Sequence, residues 1–84
     1  MHFEDIGDAI EVIAYFKGGK MQPVKFRWKN RVHRIERVNG GWRSEQGRER
    51  IQHYSVMCGG PDVFEISCSM ENFTWRIDRV CLEG

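Results

Sequence analysis

The chain has 84 residues, with 13 Lys and Arg against 12 Asp and Glu for a net charge of +1, which leaves room for one small domain and one core. At 40% hydrophobic residues, with five Phe and three Trp, it has enough apolar surface to fold. It holds no apolar run of about 18 residues, which excludes a membrane-spanning helix.

The N-terminal run MHFEDIGDAIEV is acidic and lacks the basic start and apolar stretch of a secretory leader, so the expected compartment is the cytoplasm. Residues 1–84 read as a single domain in which 1–8 form an acidic, loosely ordered lead-in. Ala9–Phe16 is apolar, β-branched and aromatic, and predicts the first strand. Lys17 to Pro23 reads as a loop by its glycines and proline. Pro23 to Val38 then reads as a hairpin. Asn39-Gly40-Gly41 predicts a turn, Trp42 an anchor, and Ser44–Arg48 a polar loop. Glu49–Cys58 predicts a long strand, Gly59 to Asp62 a turn, and Val63–Cys68 another strand. A turn at Ser69–Asn72 leads into Phe73–Cys81. Short strands with Gly-rich turns and no helical stripe predict an all-β fold, a small SH3-like or related barrel or rolled antiparallel sheet of five to six strands.

The hairpin organises the rest. Val24, Phe26 and Trp28 alternate with Lys25, Arg27 and Lys29, the signature of a half-buried strand. A two-residue loop at Asn30-Arg31 would place Trp28 opposite His33 and Phe26 opposite Ile35 on the inner face. On the outer face Arg27 would oppose Arg34, and Lys25 would oppose Glu36. A bulge near Arg37 would bring Val38 inward. Between Lys17 and Arg37 stand eight cations and one acid, Glu36, whereas the remainder holds five cations and eleven acids.

The three cysteines, Cys58, Cys68 and Cys81, are odd in number and widely spaced, which points to reduced, partly buried thiols. There is no Cys-x-x-Cys or His-x-His pair, so neither a metal nor another cofactor is expected. His33 and His53 are the candidate acid–base groups, and Ser55, Ser67 and Ser69 the candidate nucleophiles. No nucleophile elbow or metal-binding helix accompanies them, so the expectation is a protein that is not an enzyme.

Further positions carry a resemblance. Pro23, Phe26, Trp28, Arg31, His33, Ile35 and Val38 begin it, followed by Trp42, His53-Tyr54-Ser55-Val56, Phe64-Glu65-Ile66 and Trp75-Arg76-Ile77-Asp78-Arg79-Val80. Over residues 22 to 82 the chain resembles a small bacterial β domain family of unknown function. Members of that family stand alone or resemble the C-terminal tail of polymerase-like proteins of error-prone DNA repair. Asn30 stands where the family has Gly, His33 where it has an aromatic, and Cys81-Leu82 where it closes on Tyr-Asp. The resemblance implies a β fold and an association with DNA repair by analogy alone.

The functional expectation is a binding module. Lys25, Arg27, Lys29, Arg31 and Arg34 form a basic face suited to nucleic acid or another anion, with Trp42 and Tyr54 as candidate exposed aromatics. Five neutralised phosphates would weaken duplex binding roughly 500-fold between 50 and 200 mM salt. Four alternatives stay open: a protein partner, a homodimer, an ordinary solvated strand face, or a face neutralised internally by Glu4, Asp5, Asp8 and Glu11.

Overall fold

The computed structural model describes residues 2–83 and contains seven antiparallel strands in one sheet. They are β1 (His2–Lys17), β2 (Lys20–Trp28), β3 (Arg31–Arg34), β4 (Arg37–Gln46), β5 (Glu49–Met57), β6 (Val63–Ser69) and β7 (Trp75–Leu82). Their order is β3-β2-β1-β7-β6-β5-β4. No ladder joins β3 to β4, so the sheet is rolled but not closed into a barrel, and it has seven strands where five to six were expected.

The roll depends on β1. Its first half pairs with β7 and its second half with β2. Between Asp5 and Asp8 the register slips around Gly7, whose φ of 77° a β-carbon would disfavour. A second slip at Ile13/Ala14 bends the strand again. Such bulges raise twist and let one strand serve two partners. Residues 2–8 are thus the first half of a paired strand, not a loose lead-in; residue 1 lies outside the described residues.

At the opposite side the chain steps between sheet edges. Ile35 N donates to Val24 O of β2, and the next amide, Glu36 N, donates to Met57 O of β5, both at 2.9 Å. The two edges therefore meet at Ile35-Glu36 and splay apart beyond it. No register shift falls at Arg37, where a bulge was expected: the break at Ile35-Glu36 already lets Val38 pack on the core, and a bulge follows between Val38 and Gly40.

Inside the roll lie Ile10, Phe26, Tyr54, Val56, Ile66, Ile77 and Val80. Phe26 of β2 meets Phe64 of β6 edge-on at 5.7 Å and stacks on His33 at 4.9 Å, so strands far apart in the sheet order share one interior. Three free thiols complete the picture, with Cys68 and Cys81 buried and Cys58 half-buried. Burial pushes the Cys58 and Cys68 thiols up to about 11, with the Glu36 charge adding to the effect at Cys58.

Two sequence expectations fail at strand ends. β4 occupies Arg37–Gln46, where a turn and loop were expected, and Gly47 makes the turn instead. Phe73, expected to open the last strand, has a φ of 58° and is exposed in the turn before β7, which begins at Trp75.

Candidate anion-binding face and neighbouring sites

The hairpin turn is Lys29-Asn30, with φ values of 52° and 60°, one residue earlier than expected. Both residues in the left-handed region make it a type I′ connection, matched to the twist of the flanking strands. The ladder runs Trp28↔Arg31, Arg27↔Val32, Phe26↔His33 and Lys25↔Arg34. Partners are displaced by two residues from the expected register. An even displacement keeps every side chain on its expected face while changing its neighbour.

Consequently Arg27 does not face Arg34. The like-charge pair is Lys25 and Arg34, and Glu36, expected to oppose Lys25, has left the hairpin and lies against Gly59. Arg27 instead has Glu11 of β1 directly opposite, in a loose and exposed ion pair at 3.9 Å. Lys29 lies over the Trp28 ring, 4.8 Å from its centroid. Arg31 is opposite Trp28 on the inward side and depresses the His33 pKa, second to burial as a cause. Of the five expected anion-binding residues, the outer face of β2 and β3 therefore brings together Lys25, Arg27 and Arg34. Lys29 is at the turn and Arg31 lies around the edge.

The acids that could mask this face are mostly engaged elsewhere. Asp8 accepts from Trp28 Nε1 at 2.8 Å, while Glu4 and Asp5 are in register with Val80 and Arg79 of β7. Only Glu11 of these four reaches the cations. Beside them the face holds a shallow depression of about 250 Å3, lined by Glu11, Ile13, Lys25, Arg27 and Val32. Ile13 and Val32 are 57% and 54% exposed, an apolar strip among the charges that sequence periodicity did not single out.

The expected aromatics divide. Trp42 is 42% exposed and lies parallel to His53 at 5.0 Å. Tyr54 is 8% exposed, points into the roll and donates its hydroxyl to Met21 O at 2.8 Å. It is not an exposed aromatic: His53 takes the outward position of that pair.

A polar chain crosses the outside of β4 to β7. Ser44 Oγ and His53 Nε2 are 2.7 Å apart, His53 Nδ1 is 3.7 Å from Asp78 Oδ2, and Ser67 Oγ donates to Asp78 Oδ1 at 3.1 Å. The order resembles a hydrolytic triad, in which the carboxylate orients the imidazole through a hydrogen bond. Here 3.7 Å is too long for that bond, and Ser67 supplies Asp78 with its hydrogen-bond donor. The two hydrogen bonds tie β4 to β5 and β6 to β7 on their outer face. Ser55 and Ser69 take no part, and among the described residues no cluster of His, Cys, Asp or Glu suits a metal ion. No described helix is long and apolar enough to cross a membrane.

No family model, curated protein or solved structure matches the chain. The basic face therefore rests on its own geometry.

Proposed function

We propose that this protein is a non-catalytic binding module for polyanions, with nucleic acid as the partner class, acting through the outer face of β2 and β3. One observation carries the reading: Lys25 stands directly opposite Arg34, and the acid expected beside them is elsewhere. A like-charge pair on a sheet is destabilising unless an anion sits between its members. Arg27, held only by an exposed ion pair at 3.9 Å, exchanges Glu11 for a phosphate at little cost. The mechanism is neutralisation of phosphates with little base readout, because no reading helix and no base-specific set of side chains accompanies these cations. The rolled sheet, open between β3 and β4, supports reading the fold as a relative of small SH3-like barrels that stops short of closure.

Exposed Ile13 and Val32 favour a second reading, a protein partner or a second copy docked on the same face. Fluorescence anisotropy with labelled single- and double-stranded DNA and RNA separates the two. Nucleic-acid binding that is lost in Lys25→Glu/Arg34→Glu supports the first reading. Absence of binding at 50 mM salt refutes it, and sedimentation at increasing protein concentration then tests the second.

A further inference from the structure

On a different part of the molecule, the sheet edges that meet at Ile35-Glu36 diverge and leave a cleft of about 690 Å3 between β2 and β4. Its two walls differ. Met21 O on the β2 side is already occupied by the Tyr54 hydroxyl, and Pro23 has no amide hydrogen, so this wall is a poor template for another strand. The β4 wall ends the sheet and pairs only with β5, so among the described residues its far edge has no strand partner. Gly40 lies in this wall, and even a β-carbon there would meet nothing within 4 Å. An incoming backbone can therefore approach closely.

The cleft contains Phe16, 67% exposed, together with Met21, Val38 and Met70. Its charged lining residues are Lys17, Lys20 and Arg43, with no acid among them. Lys17 and Lys20 are directly opposite each other across the β1–β2 turn. A free strand edge, an apolar floor and a wholly cationic rim define the chemistry of one occupant.

We infer that this cleft receives an extended acidic segment of a partner protein, added as a strand along β4 from Gly40, past the bulge, to Arg43, with alternate apolar side chains directed to the floor. Strand addition gives affinity through main-chain hydrogen bonds and specificity through alternate side chains. From Gly40 to Arg43 the regular template is roughly 13 Å long at about 3.3 Å per residue. Nucleic acid fits this site less well, because a peptide amide and carbonyl match the β4 edge and a phosphodiester does not.

The test uses the full chain and a fluorescein-labelled octapeptide of alternating valine and glutamate, with octaglutamate and a centrally proline-substituted octapeptide as controls. The alternating peptide binds at least tenfold more tightly than either control. Lys17→Glu/Lys20→Glu, or Arg43→Glu alone from the opposite wall, weakens it at least tenfold, whereas Lys25→Glu/Arg34→Glu changes it less than twofold. That last comparison separates failure here from failure of the polyanion reading. Several results overturn the inference: no binding, equal binding of octaglutamate, indifference to the three cleft cations, or a dimer in sedimentation that the peptide dissolves. The last would assign the cleft to a second copy.

Discussion

Replacing Lys25 by Glu changes stability and binding in opposite directions. Lys25 and Arg34 are directly opposite on the outer face, where a like-charge pair costs about 0.2–1 kcal/mol and an opposite pair returns a similar amount. The two effects sum to about 0.4–2 kcal/mol, and because both side chains reach solvent, screening keeps the gain in the lower half of that sum, about 0.5–1 kcal/mol. In an 84-residue domain this raises the midpoint of thermal unfolding by about 2–8 °C. The same change removes a phosphate contact, and the slope of log affinity against log salt falls by about 0.9. Thermal unfolding by circular dichroism and anisotropy with a labelled duplex, measured on one preparation, check both halves. A Lys25→Glu protein that is less stable than the parent and binds equally well would refute the pairing and the function together.

Three further outcomes follow from the packing. Burial, aided by Arg31, lowers the His33 pKa below its ordinary 6.5, so below about pH 6.5 the unfolded chain takes up a proton that the folded chain resists. Urea midpoints fall between pH 7 and 5.5, and His33→Phe flattens that part of the fall. Gly59 has a φ of 96° and a β-carbon there would lie 2.7 Å from the Glu36 carboxylate; Gly59→Ala costs about 1–2 kcal/mol in urea denaturation, whereas Gly60→Ala, in open space, is near neutral. The Cys58 thiol, pushed up from 9.0 to about 11, reacts with iodoacetamide at pH 8 about 100-fold more slowly than a solvated thiol, as followed by mass spectrometry of the native protein.

Much of the sheet is legible in the residues because its strands alternate. Val24, Phe26 and Trp28 against Lys25 and Arg27 declare two faces, and the structure keeps them, while Lys29 leaves the outer face at the turn. Partner identity is a different matter. The type I′ turn needs two left-handed residues, and Asn30 serves equally well as the first or the second. Sequence alone put Arg31 in the other place; the fold uses Lys29, and every cross-strand pair moves by two. His33 then stacks on Phe26, and Ile35 bonds back to Val24 at the point where the chain crosses to β5.

β4 was hidden by its composition. Asn39-Gly40-Gly41 carries turn residues and almost no apolar signal, yet its backbone pairs with β5, whose own pattern is strong. An edge strand can take its order from one neighbour without an apolar face of its own. The Ser44–His53–Asp78–Ser67 chain was equally invisible, since four different strands contribute it. Tyr54 was expected as an exposed aromatic, yet it faces inward, where its hydroxyl donates to Met21 O and His53 takes the outward side.

The number of cations on the basic face has a direct consequence for binding. Three outward cations, in place of the five counted along the chain, predict a loss of about 40-fold in duplex affinity between 50 and 200 mM salt. The most direct test of the central claim is an amide chemical-shift titration of the full chain with a short oligonucleotide at 50 mM salt. The basic-face account predicts that shifts concentrate at Lys25, Arg27, Val32 and Arg34, while Trp42, His53 and the Gly40-Gly41 edge stay still. Shifts centred on that second set, or none anywhere, would contradict it.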